Sequence, residues 1–249
     1  MPKVSIIMPC HNGEKYITDS INSVLHQTFL DWELLVIDDN STDSSANVIE
    51  EFCKKDARIK LLKNQNQTGL PATARNVGIK AAQGRFIAFL DCDDMWLPLK
   101  LEHQIPLFET KNIAVVFSYY SKMNADGNYG ANTISSPVFV SYDYMLNGNC
   151  IGNLTGMYDT QKCGKVFQKE IHHEDYLMWL SILEQGFFAL NTNTIEAVYR
   201  ENKSSVSGSK IKIFSWQWNI LRNELKISFF KAIKYFFKYA VSGFLKFLK

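Results

Sequence analysis

Through the first ninety residues, short apolar runs alternate with stretches of helical period. Val4–Met8 is a continuous apolar run of strand length. Residues 14–27 then place Tyr16, Ile17, Ile21, Val24 and Leu25 at helical spacing, and Glu33–Ile37 forms a second apolar run. Ser41 to Asp43 supply cap-like residues ahead of Ala46, Val48, Ile49 and Phe52, a second helix. Ile59–Leu62 and Phe86–Leu90 follow as strands around a helix at residues 71–82. Strands alternating with helices predict an α/β fold with a doubly wound sheet. Further on, Phe117–Met123 leading into Asn124–Asn128 predicts a strand and a turn. Tyr176, Trp179, Leu180 and Leu183 make a helical stripe. Trp179 is expected in the core, with stacking on a ligand ring as the alternative for both aromatic residues.

The C-terminal stretch has a different pattern. At 100° per residue from Phe229, Lys231, Lys234, Lys238, Ser242, Lys246 and Lys249 fall on one side. Phe229, Ile233, Phe236, Phe237, Ala240, Phe244 and Phe247 fall opposite. From Ile211 onward there are eight Lys or Arg, one acid (Glu224) and eleven aromatic residues, a local balance of +7. The whole chain carries +2, so residues 1–210 carry −5. A boundary at 204–210 is expected, giving a main unit 1–207 and an amphipathic helical tail 208–249. The lysines interrupt any run of the roughly 20 apolar residues needed to cross a bilayer. The pattern suits a helix lying on an anionic membrane surface. Packing on the main unit, or on a second copy as a homodimer through the tail, is the alternative for that apolar face.

Composition narrows the class. A chain of 249 residues with 46% hydrophobic and 21% charged residues is expected to fold around its own core. Its five cysteines (10, 53, 92, 150 and 163) are odd in number and form no C-x-x-C pair, so neither a disulfide framework nor a zinc site is suggested. Only the six residues Lys3–Met8 stand between Pro2 and Pro9, too few for the apolar core of a signal peptide. A cytoplasmic location is therefore expected, and no nucleic-acid partner.

Candidate chemistry gathers just after the strands, where ligands bind in open α/β sheets. Asp38-Asp39-Asn40-Ser41 follows the second run and Asp91-Cys92-Asp93-Asp94 follows Phe86–Leu90. Neither G-x-G-x-x-G nor G-x-x-x-x-G-K-[ST] is present, which disfavours a dinucleotide cofactor and a P-loop. Carboxylates beside a nucleotide diphosphate need a bridging cation, and in extended backbone Asp91 and Asp93 face one way while Cys92 turns inward. Alone, D-x-D is weak: solvated loop acids or a helix N-cap explain it as well.

The segments Val4–Gly13, Val36–Asp43, Ala74–Gly78 and Leu90–Asp94, in that order, resemble glycosyltransferase family 2. The resemblance spans about residues 3–207 and implies a GT-A, Rossmann-like mixed sheet with inverting sugar transfer. Residues 1–115 would be its donor-binding half and 116–207 its acceptor and base half. By the same resemblance Pro9 to His11 form the wall against the nucleobase and Asp39 accepts from uracil, although one acid of the Asp38–Asp39 pair could only cap a helix. Arg75 contacts the nucleotide, a surface ion pair being its alternative. Asp91 serves the ribose, Asp93 holds Mn²⁺ or Mg²⁺, and Asp94 supports or caps. His172-His173-Glu174-Asp175 resembles the family's E-D motif, with Asp175 as catalytic base and Glu174 its neighbour; the two histidines are hydrogen-bond donors or, less simply, a metal pair. Val198–Ser207 resembles a late loop with Asn202 where a histidine is common, and Lys203 and its serines are candidates for a lid. No Q-x-x-R-W occurs, which disfavours a processive synthase.

The expected function is transfer of a hexose or N-acetylhexosamine from a UDP-sugar. The expected acceptor is a polyprenyl-diphosphate-linked glycan, in O-antigen or capsule assembly on the inner face of the cell membrane. A nucleotidyltransferase would show a glycine- and arginine-rich loop where Pro9–Gly13 stands. A non-catalytic membrane scaffold would not need acids at 39, 91, 93 and 175.

Overall fold

Alternate side chains of Val4–Cys10 enter two separate cores, and this strand, β1, is the axis of the fold. The computed structural model describes residues 1–66, 69–201 and 210–247. Its strands are β1, β2 (Trp32–Asp38), β3 (Ile59–Lys63), β4 (Phe86–Phe89), β5 (Met95–Trp96), β6 (Ile113–Asn124), β7 (Tyr129–Ile134), β8 (Phe139–Val140), β9 (Met157–Asp159) and β10 (Phe188–Glu201). They make one sheet in the order β3-β2-β1-β4-β9-β6-β10-β5, with β7 on β6 and β8 on β10. The first four are mutually parallel, β9 runs antiparallel between β4 and β6, and β6 pairs parallel with β10. The expected mixed, doubly wound α/β sheet is present.

The helices α1 (Ile17–Leu25), α2 (Ser45–Lys55) and α3 (Pro71–Ala81) lie where the periodicity puts them. Val4, Ile6 and Met8 pack with Ile17, Ile21 and Val24 of α1 on one face of the sheet. Ile7, Ile37 and Phe89 pack with Ala74 and Ile79 of α3 on the other. The second contact is close: a Cβ at Gly78 would come within 2.7 Å of Ile7 Cγ2 and 2.8 Å of Ile37 Cδ1. Strand order reverses direction between β1 and β4, so their carboxyl ends, Cys10 and Phe89, open the crevice in which such sheets bind ligands.

After the short helices α4 (Lys100–Gln104), α5 (Tyr142–Met145) and α6 (Thr160–Cys163) comes α7 (Glu174–Leu183). Tyr176 and Trp179 of α7 are fully buried, and Tyr176 Oη donates to Met145 O at 2.7 Å. Trp179 sets its ring edge-on to Phe89 and Tyr158. Both aromatics are core, as expected for Trp179, and stacking on a sugar is excluded for Tyr176 by its burial.

The tail is α8 (Lys210–Asn219), a π-helical segment Ile220–Glu224, and α9 (Phe229–Phe247). Here the structure corrects the expected face. Ile220, Leu221 and Ala232 belong to the same core as α7, and Tyr235 and Phe236 pack against it. Phe236 thus turns inward, while Phe230 (84% exposed), Ile233, Phe237 (68% exposed) and Val241 form an outward apolar stripe beside Lys231, Lys234 and Lys238. Spaced by three or four residues, these side chains share one flank of the helix. The tail packs on the body through one face and keeps a second apolar face in solvent. Among the described residues no helix is long and apolar enough to cross a membrane.

Candidate active site

The loops leaving β1, β2 and β4 turn toward one another. Asn12 and Asn40 adopt φ of +50° and +57°, a left-handed conformation asparagine tolerates. His11 Nδ1 donates to Asp39 O at 2.7 Å, and Asn12 Oδ1 accepts from Thr42 N at 2.8 Å, joining the first loop to the second. Between the loops lies a cleft of about 710 Å³, a size that holds small-molecule ligands. Pro9, His11, Asp39, Arg75, Asp91 and Asp93 all line it. The six donor and metal candidates therefore share one cavity.

The two acids after β2 divide the work. Asp38 is buried and its Oδ1 accepts from Ser41 N at 3.2 Å, holding the loop. Asp39 faces the cleft, with Oδ1 accepting from Asn64 Nδ2 at 2.7 Å. Neither caps α2, whose N-cap is Ser44; one residue earlier, Asp43 Oδ1 accepts from Ser45 N at 3.0 Å.

After β4, which ends at Phe89, the acids sit in a turn closed by Asp94 N donating to Asp91 O at 3.1 Å, in place of the extended backbone expected for them. Asp91 and Asp93 line the cleft together with Cys92, whose thiol lies toward Cys10 and Gly13: a Cβ on Gly13 would lie 2.8 Å from Cys92 Sγ and 2.9 Å from Cys10 Sγ. Asp94 is buried and its Oδ1 accepts from Arg200 N at 2.9 Å, while Arg200 Nε donates to Asp93 O at 2.9 Å. Asp94 thus anchors the acidic loop to β10 and caps no helix. Burial and its two acidic neighbours push its carboxyl well above the usual range.

Arg75 is 4% exposed, which excludes a surface ion pair. Nη2 donates to Asp91 Oδ1 and Nη1 to Glu174 Oε1, each at 2.7 Å. The fork therefore joins the β4 loop to the first turn of α7, whose Glu174 lies ninety-nine residues from Arg75 in the chain. Asp175, next to Glu174, is partly buried, and its Oδ2 accepts from Asn149 Nδ2 at 3.0 Å. Burial, then repulsion from Glu174, raises its carboxyl to about 6 against the opposing pull of Arg75 and the hydrogen bonds from Tyr176 N and Asn149.

The histidines before α7 are accounted for by packing. His172 stacks on Trp216 of α8 at 4.2 Å and His173 meets the same ring edge-on at 5.3 Å. Among the described residues no group of three His, Cys, Asp or Glu could by itself hold a metal. Asp91 and Asp93 offer hard oxygen donors at the cleft, which fits a cation that takes its remaining ligands from a diphosphate and water. The late-loop candidates Asn202, Lys203 and the following serines lie outside the described residues. Sequence reasoning missed Asn149, Gln168 and Asn64. Each is an isolated amide in a loop, and only its partner (Asp175, Arg75 or Asp39) reveals it.

Residues 5–173 match the family profile described as Glycosyl transferase family 2. The chain is 42% identical over 219 residues to the UDP-Glc:alpha-D-GlcNAc-diphosphoundecaprenol beta-1,3-glucosyltransferase WfgD of Escherichia coli, covering 88% of this chain and 85% of that one. In three dimensions it resembles S. aureus TarS 1–349, solved in complex with UDP-GlcNAc (TM-score 0.70, 21% identity, 89% of this chain and 67% of that one). It also resembles the mannosyltransferase PcManGT from Pyrobaculum calidifontis, solved with GDP-Man and Mn²⁺ (TM-score 0.67, 14% identity, 91% and 65%).

Proposed function

Because the chain belongs to glycosyl transferase family 2 and is a glycosyltransferase, we propose that it moves a hexose or N-acetylhexosamine, with inversion, from a UDP-sugar to a lipid-diphosphate-linked sugar. The observation that carries this is the Arg75 fork. It ties Asp91 of the donor cleft to Glu174, beside the half-buried Asp175, so a donor and a base are one side chain apart. The acceptor class rests on WfgD, whose name gives a GlcNAc-diphosphoundecaprenol acceptor and a beta linkage.

In this mechanism Pro9 and His11 flank the nucleobase, Asp39 accepts from it, and Asp91 accepts from the ribose. Asp93 would hold Mn²⁺ or Mg²⁺, and such a cation would supply positive charge for the diphosphate. Asp175 accepts the acceptor hydroxyl proton while the oxygen attacks the anomeric carbon opposite the departing UDP. The donor residues lie at positions 9–93 and the base at 175, which supports a donor half 1–115, an acceptor and base half 116–207, and a tail from 208. The outward stripe of α9 beside Lys231, Lys234 and Lys238 suits attachment to an anionic membrane from its cytoplasmic side, each lysine adding about 1 kcal/mol near the surface.

Release of UDP from a panel of UDP-hexoses and UDP-N-acetylhexosamines tests the function. Transfer should vanish in EDTA, return with Mn²⁺ or Mg²⁺, and fail in Asp93→Ala, with the new bond showing the β-anomer's NMR coupling. Pyrophosphate made from UTP would indicate a nucleotidyltransferase, absence of any turnover a scaffold, and a retained α-anomer would overturn inversion.

The base also sets the pH response. A base works only when ionised, and the Asp175 carboxyl releases its proton near 6. Transfer should therefore fall as pH drops through about 6, with one acid limb in kcat. A flat profile from pH 5 to 8 would remove Asp175 from the base role.

A further inference from the structure

A second cavity lies beside the base. It is a groove of about 640 Å³ between the 135–150 segment and α9, with Tyr144 and Asn149 on the body side and Phe237, Lys238 and Val241 on the helix side. The groove exists only because the tail is seated there: a Cβ on Gly148 would come within 2.7 Å of the Tyr239 ring, so helix and turn touch without space for a side chain. We propose that this groove binds the lipid end of the acceptor, the diphosphate and first isoprene units of a polyprenyl carrier.

Three features select that occupant. The first is position, since Asn149 lines the groove and also donates to Asp175 Oδ2, so a ligand in it ends at the base. The second is the walls: Tyr144, Phe237 and Val241 are large apolar side chains left exposed, an arrangement a soluble surface avoids unless something covers it. Phe237 and Val241 also belong to the outward stripe that continues to Ile233 and Phe230. The groove therefore opens onto the face suited to a bilayer, and a chain too long for 640 Å³ has an apolar path out. The third is charge. Lys238 stands in the groove, and no described lining residue is an acid, which favours a diphosphate over a cationic or neutral ligand.

The proposal rests on the transferase function proposed above, and the test separates the two. The full chain is exposed to farnesyl diphosphate bearing a terminal benzophenone, in detergent below its micelle concentration, and labelled peptides are mapped after irradiation. Label is expected in residues 135–150 and 237–241, displaced by unlabelled farnesyl diphosphate and not by phosphatidylglycerol or inorganic diphosphate. Phe237→Ser and Lys238→Glu should each lower labelling roughly tenfold, the scale of one lost apolar or ionic anchor. Label elsewhere on the wild-type chain overturns the assignment without recourse to any variant. Displacement by phosphatidylglycerol would make the groove a site for bilayer lipid, and labelling that declines as protein concentration rises would give it to a second copy; either result overturns the proposal. Sugar transfer to a soluble short-chain acceptor is measured in parallel. Its absence with labelling intact defeats the transferase function alone, and its presence with labelling lost defeats the groove alone.

Discussion

Replacing Asp175 by Asn should lower the turnover of sugar transfer by about 10²-fold or more, the scale of a lost general base, while UDP binding stays nearly unchanged. The substitution keeps the shape of the side chain and removes the one function the mechanism needs, an oxygen able to take a proton. The donor contacts of Asp39, Asp91 and Asp93 lie in the cleft on the other side of Arg75 and are untouched. Stability should move the opposite way. The folded state holds the Asp175 proton up to about 6, whereas an unfolded aspartate loses it near 3.9. The carboxyl's contribution to stability is therefore full below about 4 and lost as pH rises through about 6. At pH 7 the neutral asparagine should gain about 1–2 kcal/mol over the wild type, and thermal unfolding at pH 4 should shrink that gain. An enzyme made inactive and more stable is the signature of a carboxylate kept ionised at a cost. Loss of UDP affinity together with turnover would instead make Asp175 structural.

Arg75→Met should be damaging to fold and activity at once. Its guanidinium is buried between Asp91 and Glu174, with the Asp175 charge close enough to act on it. Removing one member of a buried ionic cluster strands the others, at about 3–5 kcal/mol, and Asp91, open to water over a third of its side chain, places the cost toward the lower figure. For a chain of this size that is a fall in Tm of roughly 6–12 °C. The activity readout distinguishes positioning from general damage. Arg75 pulls the Asp175 carboxyl down, so its loss should move the acid limb of kcat above about 6. Arg75→Lys keeps the charge but cannot span two carboxylates, and should restore the limb only in part. Reduced stability with an unmoved limb would leave Arg75 a purely structural brace.

Much of this protein was legible along the chain. The strands β1 to β4 and the helices α1 to α3 lie at their expected positions within a few residues, because burial on both faces of a parallel strand writes a continuous apolar run and a half-buried helix writes a 3.6-residue period. The convergence of acids from the ends of β2 and β4 follows from parallel order, whereas Asp91 and Asp93 reach the cleft from a turn, closed by Asp94 N donating to Asp91 O at 3.1 Å, and not by the strand alternation expected for them. These are local rules, each satisfied within about ten residues. What only the tertiary structure decided is which distant groups meet. Arg75 is identified as a link between donor cleft and base helix only when Glu174 arrives from ninety-nine residues away, and Asn149 only through its bond to Asp175. The tail shows the limit most clearly. Its periodicity establishes an amphipathic helix, yet the same apolar residues can satisfy a membrane, a partner or the body of the protein. Phe236 packs inward and Phe237 outward because the core of α7 offers Phe236 a place, and a hydrophobic pattern encodes the need for burial without encoding against what.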